Sequence, residues 1–166
     1  MISVLIQTKD SEEDLARTLS SLIGGAVEGV VREVIVCDRG STDQTRHVAE
    51  HAGCVFVCGT AAAGVKQAKC EWLLMLEPGA RLVDGWMESA TSHMNKATIA
   101  GRFTRSRAHR TPFLSRVLPG NRGLTQGLLI RKRQAAPLAK NGQDAEAIAR
   151  GLATKQLEGE IVVRGR

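Results

Sequence analysis

The sequence predicts an α/β protein, a three-layer sandwich of helices around a mostly parallel mixed sheet. Three observations carry this. Apolar, β-branched runs such as ISVLIQT (2–8) and EVIVCD (33–38) alternate with segments whose apolar residues recur at helical spacing. The run WLLML (72–76) has no polar interruption, as expected of a strand buried on both faces of a sheet. The strand–helix alternation persists along the chain, the order that a parallel sheet with crossover helices requires.

The first strand is Ile2–Thr8. Ser11 is placed to cap the helix that follows, with Glu12, Glu13 and Asp14 favoured by the dipole of its first turn. Leu15, Leu19 and Leu22 form its apolar stripe, and GGAVEG (24–29) is expected to end it. The second strand closes on Asp38. RGSTDQT then turns into a helix from about Asp43 to Ala52, and CVFVC (54–58) is the third strand. Helical potential runs from Ala63 to Cys70, and EWLLML (71–76) is the fourth strand. DGWMESATSHM (84–94) is expected to be helical and ATIAGRF (97–103) a fifth strand. GLLIRKR (127–133) is expected to be a sixth, DAEAIARGLATK (144–155) a helix, and EIVVRG (160–165) the closing strand.

At 166 residues the chain is expected to form one domain, residues 1–166, with a core that needs no staples. No apolar stretch is long enough to span a bilayer and no basic leader precedes the first strand, so a cytoplasmic location is expected. The four cysteines (Cys37, Cys54, Cys58 and Cys70) contain no CxxC pair. His47 and His51, four apart on a helix, could chelate a metal or stand as two solvated side chains. Between Ser89 and Gln143 there is no Asp or Glu but eleven Lys and Arg, while the remainder of the chain is net acidic. Such a one-sided field concentrates anions. Aromatic residues make up 3% with no Tyr, so stacking-based nucleic-acid recognition is not expected. In TPFLSRVLPGNR (111–122) the apolar residues Phe113, Leu114, Val117 and Leu118 share a helical face flanked by Arg110, Arg116 and Arg122. That face could pack into a core or lie on an anionic membrane surface on the cytoplasmic side.

The strand-to-helix turns QTKDSEED (7–14) and CDRGSTDQT (37–45) lie where ligands bind in open α/β sheets. Asp38 is placed to accept hydrogen bonds from a base or ribose, or simply to shape the turn. Neither a dinucleotide fingerprint nor a P-loop is present.

Taken together, VLIQTKDSEEDLARTLSSL, EVIVCDRGSTDQT, EWLLMLEPGARLVDGW and GLLIRKR…P…GQDAEAIARGL resemble, in this order, family-2 glycosyltransferases of the GT-A fold. The resemblance implies transfer of a sugar from a nucleoside-diphosphate sugar to an acceptor hydroxyl, in some relatives a lipid-linked one. It implies that Thr8, Asp10 and Asp38 surround the nucleotide and that Asp144 is the general base, with Glu146 the second acid of that motif; Arg39, itself a departure from the pattern, is a candidate nucleotide contact as a cation that stabilises the diphosphate in place of metal. It implies that Glu77 lies at the site of a Mg²⁺ or Mn²⁺ ion. The chain departs from the family pattern at several of these places. Gly79 stands where the second metal-ligating Asp is usual, Gln7 where proline is usual, Arg39 where Gly or Asp is common, and Gln143 where a Glu precedes the catalytic Asp. Gly79→Asp is therefore expected to raise metal-dependent affinity.

Two further readings stand beside the transferase. One is a catalytically degenerate family member that binds a nucleotide or a partner protein. The other is an anionic-surface binder acting through residues 102–133, with Arg110, Arg116 and Arg122 as phosphate, acceptor or membrane contacts.

Overall fold

In the computed structural model, which describes residues 1–106, 124–139, 144–150 and 152–163, eight strands form one sheet in the order β3-β2-β1-β4-β7-β6-β8-β5. The chain order is β1 (Ile2–Thr8), α1 (Glu12–Ser20), α2 (Ile23–Val27), β2 (Val31–Asp38), α3 (Thr45–His51), β3 (Val55–Cys58), α4 (Ala61–Gln67) and β4 (Trp72–Leu76). Then come β5 (Arg81–Leu82), α5 (Trp86–Lys96), β6 (Ala100–Arg105), β7 (Leu128–Arg131), α6 (Lys132–Leu138), α7 (Ala145–Ala149) and β8 (Thr154–Val162). β1, β2, β3 and β4 run parallel, whereas β7 is antiparallel to both β4 and β6. The sheet is mixed, with its parallel half at the N-terminal side of the sequence.

The alternation of side chains across each strand builds two cores. Ile2, Val4 and Ile6 of β1 and Leu74 and Leu76 of β4 pack on one face with Leu15, Leu22, Ala49 and Trp86 from α1, the turn after it, α3 and α5. Leu5, Leu73 and Met75 pack on the other with Ala61, Val65, Ala135 and Ile148 from α4, α6 and α7. All five residues of β4 are buried, as an uninterrupted apolar strand predicts.

The structure corrects several expectations. GGAVEG does not stop the first helical segment; Ile23–Val27 form α2 within it. A β-carbon on Gly25 would lie 2.7 Å from the Trp86 ring, so this glycine lets α2 pass under an indole. Strand β7 ends at Arg131, and the expected extension through Arg133 is the start of α6. The last helix stops at Ala149, and β8 begins at Thr154 to pair with β6. Two-residue β5 pairs antiparallel with β8 and was not anticipated. Ser11 makes no capping bond; its hydroxyl donates to the Lys9 carbonyl, and the α1 N–H of Glu12 is accepted by Asp43 instead. The four cysteines are free. His47 and His51 are exposed and stacked, ring centroids 4.1 Å apart, and no third His, Cys, Asp or Glu among the described residues joins them in a metal-binding group.

Candidate functional site

Register places the carboxyl ends of three parallel strands side by side: Thr8 pairs with Asp38, and Ile6 with Leu76. The loops leaving β1 and β2 meet above this edge and bond reciprocally. Asp10 N–H donates to Ser41 Oγ, and the Asp10 carboxylate accepts from Thr42 N–H at 2.7 Å. Glu12 N–H donates to Asp43, and the Glu12 carboxylate accepts from Gln44 N–H at 2.8 Å. Asp10 takes a left-handed conformation (φ 46°), which a short polar side chain tolerates, to make this crossing.

Asp38 lies beneath the crossing. Its carboxylate accepts from the Thr8 hydroxyl, the Ser41 hydroxyl and the N–H groups of Gly40 and Ser41. Burial pushes the carboxyl up, but those donors outweigh it and hold it below the usual carboxylate value. Asp43 is likewise lowered, by Thr45 and Glu12 donors that outweigh its own desolvation. Thr8 and Asp38 are both buried, so they join the strand ends and brace the loop between them.

A cleft of about 400 Å³ opens beside this scaffold, lined by Gln7, Ser11, Asp14 and Arg39, by Leu76, Glu77 and Pro78 after β4, and by Leu124, Ala145, Glu146 and Val163. Of the residues expected at a site, Arg39 and Glu77 face it. Thr8, Asp10 and Asp38 stand behind it in the loop scaffold. Asp144 is not among the lining residues; it precedes the lining Ala145 and caps α7, one carboxylate oxygen accepting from Ala147 N–H at 2.8 Å. Glu146 reaches across, its carboxylate accepting from Leu124 N–H at 3.2 Å. Arg110, Arg116 and Arg122 lie outside the described residues. Sequence reasoning missed Asp14 and Gln7 as lining residues. Both lie in the QTKDSEED turn already placed at the ligand edge; the i to i+3 phase from Ser11, the residue before α1, could have singled out Asp14, while the contacts of Gln7 are long-range.

The turn after β4 is docked on α1. Gly79 N–H donates to the Asp14 carbonyl at 3.0 Å and to Thr18 Oγ1 at 2.9 Å. With Gly79 in place of a carboxylate, Asp14, Glu77 and Glu146 supply the acids of the cleft wall and Arg39 is the one cation among its described lining residues. No three His, Cys, Asp or Glu among the described residues are grouped to hold a metal ion. The described side chains therefore do not fit a divalent ion in the manner the resemblance implies.

The basic block is partly committed elsewhere. Arg102 donates to the Ala149 carbonyl, Arg131 pairs with Glu71 and covers the Trp72 ring, and Lys132 donates to the Ala68 carbonyl. A larger groove of about 640 Å³ between α1, α2, α3 and β2 is almost wholly apolar and contains none of these acids. No helix among the described residues is long and apolar enough to cross a membrane.

The family model for glycosyl transferase family 2 matches residues 3–141. No curated protein sequence matches the chain. Among solved structures, glucosyl-3-phosphoglycerate synthase from Mycobacterium tuberculosis in complex with uridine diphosphate is similar over 100% of this chain and 72% of its own, at 19% identity and a TM-score of 0.68. The same enzyme with Mn²⁺, uridine diphosphate and glucosyl-3-phosphoglycerate is similar over the same shares at 16% identity and a TM-score of 0.64. Residues 1–349 of S. aureus TarS are similar over 99% of this chain and 58% of that one, at 16% identity and a TM-score of 0.66. At these identities the likeness is one of fold.

Proposed function

The chain belongs to glycosyl transferase family 2 and has the GT-A fold, and on that premise we propose that it transfers a sugar from a nucleoside-diphosphate sugar to an acceptor hydroxyl in the cleft beside β1, β2 and β4. The observation that carries this reading is the meeting of Arg39, Glu77 and the first residues of α7, Ala145 and Glu146, around one cavity at the carboxyl edge of the parallel strands. The uridine diphosphate held by the M. tuberculosis structures supports a nucleoside diphosphate as the ligand class.

The roles follow from chemistry. Thr8, Asp10 and Asp38 hold the paired loops that bound the nucleotide. Arg39 meets the diphosphate, for which a guanidinium offers two parallel donors. Asp144, whose second carboxylate oxygen is not used by the cap, takes the proton from the acceptor hydroxyl. The acceptor oxygen then bonds to the anomeric carbon as the bond to the diphosphate oxygen breaks, and the nucleoside diphosphate leaves with that electron pair.

The test is release of UDP or GDP from UDP- or GDP-sugars by the wild type and by Asp144→Asn. Release by the wild type that the variant lacks supports the reading; equal release by both contradicts the base assignment.

A second reading is favoured by one observation, glycine at position 79. A member that retains nucleotide binding and has lost transfer would bind UDP and release none from its sugar conjugates. Membrane association through residues 102–133, with a lipid-linked acceptor, is a further proposal. Flotation with anionic but not neutral liposomes would support it, and flotation with neither would end it.

A further inference from the structure

The side chain of Gln7 joins three elements that are far apart in sequence. Its carbonyl oxygen accepts from Ala61 N–H, the first residue of α4, at 2.9 Å, and from Ala145 N–H, the first residue of α7, at 3.2 Å. Two backbone donors converging on one atom identify that atom as the oxygen, which fixes the orientation of the carboxamide. The amide NH₂ then makes no hydrogen bond among the described residues, and Gln7 lines the cleft.

Helix α7 needs such an anchor. Five residues are too few for a helix to hold itself in water. Its first three N–H groups have no partner within the helix. Ala147 N–H is taken by Asp144 and Ala145 N–H by Gln7. At the other end, Arg102 Nη2 donates to the Ala149 carbonyl at 2.7 Å. Burial of Ala145, Ile148 and Ala149 supplies the remaining attachment. Residues 144–146 thus take their place from polar contacts with β1 and β6 and from the Leu124 N–H that donates to Glu146, and the polar contact with β1 is a single oxygen.

We infer that Gln7 is the positioning residue of the site: its oxygen sets the Asp144–Glu146 turn against the carboxyl edge of the sheet, and its NH₂ donates to an anionic ligand, a nucleoside diphosphate, in the cleft. The latch stands on the hydrogen bonds alone; the ligand half rests on the function proposed above. An isolated β1 residue could brace α4 or α7 separately. One acceptor shared between them makes the two helices move as a unit with respect to the strand.

Hydrogen exchange of the full chain tests the latch without any ligand. Gln7→Met keeps the length of the side chain and removes the acceptor. Exchange in 61–64 and 145–149 should then quicken about fivefold or more, the worth of a lost hydrogen bond, while α5 is unchanged. Gln7→Glu keeps both acceptor positions and should hold those segments within about twofold of the wild type. Unchanged exchange at 145–149 in Gln7→Met, or quickening spread equally over α5, overturns the proposal. Gln7→Ala repeats the test should the methionine pack differently.

Titration with UDP reads the second half. Gln7→Glu, with α7 still protected, should bind UDP about tenfold more weakly, because an acceptor replaces the donor. Wild-type affinity in Gln7→Glu overturns the donor role. A wild type that binds neither UDP nor GDP contradicts the donor role and the proposed function together, and leaves the exchange result to judge the latch.

Discussion

A β-carbon on Gly79 would lie 3.3 Å from both Cγ and Oδ1 of Asp14. The position where a second metal-ligating carboxylate was expected therefore points at a carboxylate supplied by α1. Gly79 also has φ +87°, a conformation that side chains rarely adopt. Gly79→Asp should destabilise the protein without metal by about 1–2 kcal/mol, from backbone strain and like-charge repulsion. It should also create two carboxylates close enough to share an ion. The measurement is a thermal melt with and without Mn²⁺. A lower Tm than wild type, raised by Mn²⁺ more than the wild type is, bears this out; a wild-type Tm in both conditions means that the turn after β4 is placed differently.

Asp38 should be the most costly side chain of the site to change. Asp38→Asn removes the charge and leaves one acceptor oxygen for four donors; with that oxygen kept on the N–H groups of Gly40 and Ser41, the amide NH₂ displaces the hydrogen bonds donated by the Thr8 and Ser41 hydroxyls. The expected loss is about 2–3 kcal/mol by denaturant unfolding. The pH dependence has a definite sign. A carboxyl held below its unfolded value contributes stability above that value and loses it as pH falls through the folded one. Wild-type stability should therefore fall below about pH 4, and the Asn variant should show a shallower fall. Equal acid slopes would mean that Asp38 is not held as an anion by these donors.

Asp144 and Glu146 can be told apart. Asn caps a helix as well as Asp, so Asp144→Asn should cost under about 0.5 kcal/mol of stability. Its transfer rate should drop by about 10²–10⁴, the usual worth of a general base. Glu146→Gln keeps an acceptor for Leu124 N–H and should lose less than about tenfold in rate. A larger loss in Glu146→Gln than in Asp144→Asn would move the base to Glu146, which lines the cleft.

The strands of the parallel half were legible because each is an apolar run whose burial is decided locally. WLLML needed no tertiary information to be placed at the centre. The corrections fall where a long-range contact decides. Gly24 and Gly25 read as a stop, yet Gly25 is required under Trp86, and that indole lies sixty-one positions away. Arg131 to Arg133 continued a strand by composition, while the chain turns into α6 after Trp72 pairs with Arg131. Ser11 looked like a cap because capping is a local pattern, and the acceptor that took Glu12 N–H belongs to the other loop. The site divides in the same way. Glu77 follows the end of an apolar run and was found from that strand, whereas Arg39 stood out as a departure from the family pattern. Gln7 was visible as a departure from the family pattern, but its two acceptor contacts span 54 and 138 positions, and no local pattern encodes those.

If the cleft beside β1, β2 and β4 takes a nucleoside diphosphate, with Arg39 on the phosphates, the protein should bind one in solution. Calorimetric titration with UDP and with GDP, each with and without Mn²⁺, tests it most directly. One of them should bind without added metal, with affinity weakened about tenfold or more in Arg39→Ala, the worth of a charge-assisted hydrogen bond. No heat of binding from either nucleotide, at any Mn²⁺ concentration, would contradict it.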